Sequence, residues 1–532
     1  MTSLTLWLVA VGPFALACVG LIPEIVTKAG YIRARLAQAA GALCVLIALA
    51  GLVAVFVQGT LTTGTIGLSR IGFALYLDRL SVLMLTLVSF VGLIVISYSR
   101  NYLDGDPGQN RFMRWLSLAL CSVLLLILSG NLFQFAVAWI ATSLSLHRLL
   151  LFYNKRPAAI LAARKKFIVS RVGDICLLAA IVLIYRQIGT LDQAAILHLS
   201  NYGQAIPLLL VAAALIKSAQ FPLHGWLIEV METPTPVSAL LHAGIINAGG
   251  FLVLRFASII APSPHALDIL TIAGGLTALF GSVVMLTQTS VKVSLAYSTI
   301  AQMGFMMLEC GVGAFSAALL HIVAHSLYKA HAFLSSGSVI DLARASWSPN
   351  PGGRPHPARL IIAIAAVLGT ALAVGALFGA TLLTKPGVLA LAAVVLLGLI
   401  HLVANAADER LNAYVMGRTL ALAAAVAIAY FGLQFATEWL LDGSLPATLA
   451  LRGPLDLSIL ALVVGGFACV TFFQSMLPHQ VQQPRWQALY AHIANGLYVN
   501  TLANCLVLKL WPTSPAAFSG AYRGNQAEGA GV

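Results

Sequence analysis

The chain has 532 residues, of which 60% are hydrophobic and only 9% are charged. A soluble globular protein of this length covers its surface with charged side chains, so the composition excludes that class. Basic loops of a membrane protein explain the formal net charge of +13, so nucleic acid is not expected as a partner. The cysteines form no C-x-x-C pair and no nucleotide, flavin, quinone or iron–sulfur motif is visible, so no cofactor is expected in this chain.

Apolar stretches recur along nearly the whole chain. Since each bilayer crossing takes about 20 apolar residues, we predict an all-α membrane protein with about fifteen transmembrane helices. The predicted spans are residues 4–24, 37–58, 78–98, 113–131, 133–152, 167–186, 205–228, 236–259, 267–288, 292–311, 314–339, 358–381, 386–405, 414–436 and 456–477.

Basic residues gather in the loops after the first, third, fifth, eleventh and thirteenth predicted spans. Because basic loops stay in the cytoplasm, we expect the N-terminus outside and the C-terminus in the cytoplasm, in the inner membrane of a bacterium. The basic residues of these loops are Lys28, Arg33, Arg35, Arg100, Arg111, Arg114, Lys155, Arg156, Arg164, Lys165, Lys166, Arg344, Arg354, Arg359, Arg410 and Arg418.

The segment from Arg485 to Trp511 mixes apolar and polar residues and predicts an amphipathic helix along the cytoplasmic interface. Two interpretations carry equal weight: a docking helix for a partner, and a surface helix without one. The last twenty residues are rich in Gly, Ser, Pro and Ala and are predicted to be disordered.

Five ionisable side chains lie inside otherwise apolar stretches: Lys217, His242, His321, His325 and Lys329. A charge at the bilayer centre costs at least ~2.5–3.5 kcal/mol, so such groups are tolerated where they face one another or a water-filled path. This pattern predicts a proton or ion pathway, and it is the main functional signal in the sequence.

Lys217 is followed closely by Pro222, which cannot continue a helix. A broken helix at membrane depth is tolerated where it lines protein or water, and a lysine beside the break can change its charge state. The structural alternative is a lysine held in an ion pair with Asp174. We favour the pathway interpretation.

His321, His325 and Lys329 are spaced i, i+4, i+8 and therefore share one helix face, with about 6 Å between neighbours. Such a line of titratable groups, with water between them, suits proton hopping, and His242 suits the same relay. Zinc binding is the rival for His321 and His325. It is disfavoured because no Glu follows the first histidine and no third ligand is evident.

Three further sets of charged residues have open roles. Lys292 is either part of the pathway or an anchor that reaches the interface from a helix start. Asp78 with Arg79, and Arg171 with Asp174, are each predicted to form an internal ion pair.

Several motifs follow one another in the order known from one family. They are SRVGD at Ser170–Asp174, KSAQ at Lys217–Gln220, PTPVSALLH at Pro234–His242, LAYST at Leu295–Thr299 and FLSSGS at Phe333–Ser338. With the His321, His325 and Lys329 line, the chain resembles the antiporter-like subunits. These are the large proton-translocating subunit of respiratory complex I and the large subunit of Mrp-type sodium/proton antiporters. The resemblance covers roughly residues 70–340.

The resemblance implies two inverted five-helix repeats, broken helices at Lys217 and near Lys329, and a central hydrophilic axis. It makes Lys217 the central pumping lysine, with His242, His321, His325 and Lys329 as the axis and Asp174 and Lys292 beside it. The implied regions are N-terminal helices (1–110), an antiporter-like core (111–405), C-terminal helices (406–480), and an interfacial segment with a disordered tail (481–532).

Two departures separate this chain from a complete pump of the complex I type. Trp139 is followed by Ile140, where the family has the glutamate that partners the central lysine, and His147 cannot supply a fixed negative charge. The twelfth span has no charged residue beyond Arg359 at its start, and Lys385 past its end is a poor substitute.

A shortened chain with HAGIINAGG at His242–Gly250 is similar to the membrane subunit of the DAB inorganic-carbon accumulation complex. That resemblance implies a partner: a large cytoplasmic zinc protein resembling a β-carbonic anhydrase, which holds the zinc and carries out the catalysis. The implied function is proton conduction that drives hydration of CO2 to bicarbonate. The alternatives are a subunit of a cation/proton antiporter or respiratory complex, and a structural subunit that has lost conduction.

Overall fold

A computed structural model describes most of the chain. The described residues are 6–23, 30–68, 71–154, 156–197, 202–230, 233–337, 357–399, 413–450, 453–476 and 483–511. The predicted disordered tail, the end of the thirteenth span and several basic residues of the predicted cytoplasmic loops lie outside these ranges. Those basic residues are Lys28, Lys155, Arg344, Arg354 and Arg410.

Helices make up nearly all of the regular structure. They are α1 (Val11–Leu21), α2 (Gly30–Gln58), α3 (Arg79–Tyr102), α4 (Gln109–Ile127), α5 (Leu132–Leu150), α6 (Pro157–Ile188), α7 (Gln193–Leu197), α8 (Ala205–Lys217), α9 (Gly225–Glu229), α10 (Thr235–Ala243), α11 (Ala248–Arg255), α12 (Ala257–Ile260), α13 (Pro264–Met285), α14 (Val291–Gly311), α15 (Phe315–Leu334), α16 (Pro357–Leu377), α17 (Pro386–Leu397), α18 (Ala413–Leu440), α19 (Pro454–Met476), α20 (Pro484–Ala494) and α21 (Val499–Leu510).

Two small antiparallel ladders join α2 to α3, an addition that the sequence did not predict. Strand β1 (Leu61–Thr62) pairs with β4 (Tyr76–Leu77), and between them β2 (Ile66–Leu68) pairs with β3 (Ile71–Phe73). The ladders pair part of the backbone of this connection, which lowers the cost of its polar groups between the two long helices.

Among the described residues, 8 helices are long and apolar enough to cross a membrane. The predicted all-α membrane architecture is confirmed, and the count of fifteen spans is consistent with the remaining shorter apolar helices. One boundary differs by a large margin. The sixth span was predicted to begin at residue 167, but α6 begins at Pro157, so Lys165 and Lys166 lie within a helix and not in a loop.

Helix breaks occur where proline or glycine interrupts the chain. The α8 helix stops at Lys217, ahead of Pro222, as predicted. A second break at Gly244 separates α10 from α11. The predicted break near Lys329 is wrong: α15 continues through that residue to Leu334, and its sequence contains neither glycine nor proline.

Helices α13 and α14 approach each other through glycines. A Cβ atom on Gly274 would lie 2.4 Å from the backbone nitrogen of Leu308, and one on Gly304 would lie 2.4 Å from that of Ala278. Small residues permit backbone contact of this kind between membrane helices, where van der Waals packing drives association. The two helices form a close-packed pair next to the candidate site.

Asp78 pairs with a distant arginine, so the predicted Asp78–Arg79 ion pair is wrong. Asp78 Oδ2 lies 3.0 Å from Nη1 of Arg255, and its Oδ1 accepts a hydrogen bond from the Ser81 backbone at the start of α3. Arg79 instead donates to backbone carbonyls at the end of α18, including that of Leu440. Adjacent side chains on a helix point in different directions, which favours the distant partner.

Replacing Asp78 with alanine should strongly destabilise the fold, because it leaves the Arg255 guanidinium buried without its partner. We expect the free energy of unfolding to fall by about 3–5 kcal/mol. Thermal unfolding of the purified protein in detergent, followed by loss of helical circular dichroism, measures the change. The exposed Asp104 provides a matched control, and Asp104→Ala should leave the melting temperature unchanged. Equal melting temperatures for Asp78→Ala and the unmodified protein would contradict the assignment.

The segment predicted as an interfacial helix forms α20 and α21, joined by a turn. Asn500 and Asn504 donate to Oε1 of Glu229 at 3.1 and 2.9 Å, and Arg164 donates to the carbonyl of Trp511 at 2.9 Å. The segment therefore packs on α6 and α9, on the side of the bundle that carries the basic start of α6. Its placement along a membrane surface stays a prediction.

Candidate functional site

Lys217 ends α8 with its amine against an aromatic ring. The Nζ atom is shielded from solvent, lies 4.4 Å from the centre of the Trp139 ring, and has no hydrogen-bond partner in the described part of the chain. A tryptophan face attracts a cation, and the attraction is strongest where water is excluded. The amine is therefore held in place without a fixed counter-ion.

The predicted alternative, an ion pair that locks Lys217 to Asp174, is not what the structure shows. Asp174 accepts a hydrogen bond from Nε1 of Trp139 at 2.9 Å and lies 2.6 Å from Nη2 of Arg171. The predicted Arg171–Asp174 pair is confirmed. Asp174 thus orients the indole against which the Lys217 amine lies, and it interacts with that amine electrostatically without an ion-pair contact.

A second buried lysine, Lys166, stands close to this group and was missed at the sequence level. It is 3% exposed, and its Nζ donates to the backbone carbonyl of Ser143 at 2.5 Å and to the Ser143 hydroxyl at 2.8 Å. Ser143 and Trp139 are one turn apart on α5, so both amines contact the same helix face. The sequence analysis assigned Lys166, together with Lys165, to a predicted cytoplasmic loop.

Glu229 was also missed, and it ends the short helix that follows the break. Its Oε1 lies 2.7 Å from Nζ of Lys165, and the same oxygen accepts hydrogen bonds from Asn500 and Asn504.

His224 lies between Lys217 and Glu229 in the sequence. It is fully buried, and neither ring nitrogen has a hydrogen-bond partner within the described ranges.

His242 and Lys329 occupy the middle of the molecule, both with no exposed surface. The His242 ring stacks on Phe333 of α15 with the ring centres 4.4 Å apart, and its two nitrogens lack hydrogen-bond partners among the described residues. The Lys329 amine donates to the backbone carbonyl of Leu295 at 3.2 Å. These contacts bring α10, α14 and α15 together at the two titratable groups.

Lys292 is held by the protein at the start of α14. Its Nζ donates to the hydroxyl of Thr235, at the start of α10, at 3.2 Å. This bond joins the ends of two helices that carry pathway candidates. Lys292 is therefore bound to its neighbours, and its place in the pathway stays a prediction.

His321 and His325 follow one another along α15, with ring centres 6.1 Å apart. Nδ1 of His321 lies 3.1 Å from Oε1 of Glu309, an acidic residue of α14 that the sequence interpretation overlooked. Its signal was a single carboxylate inside the apolar run at Met306–Cys310. The three side chains line a cavity of about 570 Å³. No group of three His, Cys, Asp or Glu residues in the described ranges is arranged to hold a metal ion.

The predicted pathway residues therefore fall into two groups within the helical bundle. One group surrounds Lys217 and contains Asp174, and the other runs along α15 through Lys329 and His325. His242 belongs to the second group, since α10 packs against α15 and the His242 ring stacks on Phe333.

Two family models match the chain. Residues 129–348 match "NADH:quinone oxidoreductase/Mrp antiporter, TM", and residues 64–113 match "NADH-Ubiquinone oxidoreductase (complex I), chain 5 N-terminus". The first match contains every predicted pathway residue, and the second covers all of α3.

A relative from Halothiobacillus neapolitanus, named "Probable inorganic carbon transporter subunit DabB2", is 42% identical over 84% of this chain and 82% of its own length. The chain belongs to the antiporter-like membrane subunit family. A second relative, "Probable inorganic carbon transporter subunit DabB" from Hydrogenovibrio crunogenus, is 49% identical over 52% of this chain and 55% of its own length. The resemblance inferred from the sequence motifs is confirmed.

The fold also matches a solved membrane complex. The Mrp complex from Dietzia sp. DQ12-45-1b aligns with a TM-score of 0.58 and 24% identity, covering 98% of this chain and 59% of the other. At this identity the likeness supports the fold alone. It agrees with a multi-pass membrane protein built from helices interrupted within the bundle.

Proposed function

We propose that this chain is the proton-conducting membrane subunit of an energy-coupled inorganic-carbon accumulation complex. The observation that carries the proposal is the series of buried titratable groups that includes Lys217, His242 and His325. Their nitrogens have no hydrogen-bond partners within the described residues. Buried polar atoms are normally paired, so a series of unpaired ones favours groups that exchange protons through intervening water.

The residues would divide the work by their chemistry. Lys217 takes up and releases a proton beside the Trp139 face, because it has no fixed counter-ion to hold it in one state. The imidazoles of His242 and His325 relay protons, since one ring nitrogen can accept while the other donates. Lys329 bridges the relay, and its hydrogen bond to Leu295 keeps the amine aimed into the bundle.

The names of the relatives support the inorganic-carbon branch of the family, since two of them are described as carbon transporter subunits. In this proposal a large cytoplasmic partner resembling a carbonic anhydrase binds the zinc and hydrates CO2. The chain itself is a transport and energy-coupling subunit of a bacterial inner membrane, with its N-terminus outside and its C-terminus cytoplasmic.

The C-terminal segment supports the proposed partner site. Leu502, Leu506 and Leu510 form an exposed apolar line along α21, while Asn500 and Asn504 fix the other side of that helix to Glu229. In the proposed orientation this line lies at the cytoplasmic face, where a soluble partner would bind.

A cation/proton antiporter or respiratory subunit is the second candidate. It is favoured by the family model at residues 129–348, whose description names both kinds of complex. Both candidates use the same proton pathway and differ in what the protons drive.

Isolation from native membranes separates the two. We expect a large cytoplasmic protein containing zinc to co-purify with this chain in a fixed ratio, because the exposed face of α21 and the basic start of α6 lie together. Replacing Leu506 with aspartate should release that partner, while Ile66→Asp should not, because Ile66 is exposed in β2, in the connection between α2 and α3 and outside the predicted spans. Purification with a set of other antiporter subunits, or as a lone chain that exchanges cations in liposomes, would contradict the carbon-complex proposal.

A further inference from the structure

Glu309 is a buried acidic residue that lies beside the histidine line of α15. It lies near the end of α14, is only 7% exposed, and has one carboxylate oxygen 3.1 Å from Nδ1 of His321. The second oxygen, Oε2, has no hydrogen-bond partner in the described part of the chain. A buried carboxylate oxygen of this kind needs a partner that the protein itself does not supply there.

The cavity beside Glu309 can provide that partner. Its volume of about 570 Å³ is enough for several water molecules, each of which occupies about 30 Å³ in the liquid. Ser298, Gln302 and Tyr430 add polar groups to its wall. These groups give water several hydrogen-bond partners in an otherwise apolar wall, whereas a purely apolar void stays dry.

The two histidines continue from this wall into the bundle. His321 uses Nδ1 toward Glu309, and its Nε2 has no hydrogen-bond partner among the described residues. The His325 ring centre lies 6.1 Å from that of His321, and both of its nitrogens also lack such partners. Because these nitrogens have no partners among the described residues, the two rings are not hydrogen-bonded to each other, and one bridging water suits the gap between them.

We propose that Glu309 and His321 form a proton-exchange site at which water in this cavity exchanges protons with the histidine line. The inference rests on the proposed proton conduction. It adds to the pathway one residue, Glu309, and one cavity through which protons would enter or leave. Glu309 supplies a carboxylate beside the histidine line, since α15 itself contains none.

The transfer balances step by step. A hydronium ion in the cavity gives its proton to a Glu309 oxygen and becomes water. Glu309 passes the proton to Nδ1 of His321 and regains its negative charge. The resulting imidazolium releases the proton on Nε2, which reaches His325 through the bridging water and leaves His321 protonated on Nδ1. Rotation of the ring then turns the unprotonated nitrogen toward Glu309, which prepares His321 for the next proton. The reverse sequence returns a proton to the cavity, so the gradient sets the direction.

Other titratable groups facing Glu309 do not replace it. Cys310 follows it on α14, and Tyr430 of α18 lines the same cavity but carries no negative charge as a phenol. Glu438 on α18 is already held by Nζ of Lys385, 2.5 Å away. Glu309 is thus the carboxylate of this cavity wall.

The first test measures proton flux in inverted membrane vesicles containing the intact complex, with a pH-sensitive dye and an imposed potassium diffusion potential. Glu309→Gln keeps the shape and removes the charge, so flux should fall at least about tenfold, as for loss of a relay group. Glu309→Asp should retain part of the flux. The matched control is Glu438→Gln, which removes another paired glutamate of the same half and should conduct normally. Full flux in Glu309→Gln, or an equal loss in Glu438→Gln, would overturn the proposal.

The second test does not depend on conduction. Hydrophobic carbodiimides modify carboxyl groups that carry a proton in apolar surroundings, and mass spectrometry locates the modified residue. Glu309 should be labelled, with labelling that falls as the pH rises, and His321→Asn should change that pH profile. A Glu309 that is never labelled takes up no proton, which sinks the inference. If Lys217→Ala stops the flux while Glu309→Gln does not, the proposed conduction stands and only this site is wrong.

Discussion

Lys217→Ala should abolish proton flux while the protein still inserts and assembles. The amine lies shielded from solvent beside Trp139 and has no hydrogen-bond partner in the described ranges, so its removal takes away a proton carrier without leaving a partner unpaired. Alanine is a good helix former and suits the end of α8, so the backbone should be retained. Dye-monitored flux in membrane vesicles, normalised to the amount of inserted protein, measures the loss.

Two further variants define what the loss means. Lys217→Arg keeps the positive charge but should fail as well, because a guanidinium does not release its proton in proteins. Lys509, exposed on α21, is the matched control, and Lys509→Ala should conduct as the unmodified chain does. A well-expressed Lys217→Ala protein with full flux would show that protons bypass the residue and would defeat the pathway model.

The second large effect is expected in the growth, in ordinary air, of cells that lack carbonic anhydrase. Expressed with its partner, the chain should rescue a cell that lacks carbonic anhydrase, and an uncoupler should remove the rescue. A proton that crosses ~100 mV releases about 2.3 kcal/mol, and each 1.4 kcal/mol changes an equilibrium about tenfold. One proton per CO2 could therefore bias hydration by more than tenfold, which is enough to decide growth.

His325→Ala should have the same effect as the uncoupler. His325 is 5% exposed and lies between His321 and Lys329 on α15, so its loss interrupts the line at its middle. His331, which lies off that helix face, is the matched control, and His331→Ala should still rescue growth. Rescue that persists in uncoupled cells would mean that the partner works as an ordinary carbonic anhydrase and that this chain only anchors it.

Local chemistry made some features predictable. The break after Lys217 follows from Pro222, because a proline in the interior of a helix removes a backbone hydrogen bond and clashes with the preceding turn. The shared face of His321, His325 and Lys329 follows from helix geometry alone. The break expected near Lys329 came from the resemblance, and no glycine or proline supports it, so the helix continues there.

Features that depend on distant partners were not predictable in the same way. Asp78 meets Arg255 across 177 positions of sequence, and Glu309 meets His321 only because α14 packs against α15. Lys166 was misplaced because a basic cluster near a span end is typical of a loop, whereas α6 begins at Pro157 and buries it. In each case the deciding factor is which helices touch, and sequence spacing within one helix does not contain that information.

The glycine contact between α13 and α14 limits how this protein can move. A Cβ atom on Gly304 would lie 2.4 Å from the backbone nitrogen of Ala278, so the two helices meet backbone to backbone at this point. Sliding one helix along the other would bring larger side chains into this contact, which steric repulsion opposes. Glu309 lies little more than one turn beyond Gly304, so its carboxylate is carried by a rigid wall. Proton transfer at Glu309 and His321 then depends on rotation of the histidine rings and on reorientation of water. These motions are small and fast, and they require no rearrangement of the helices.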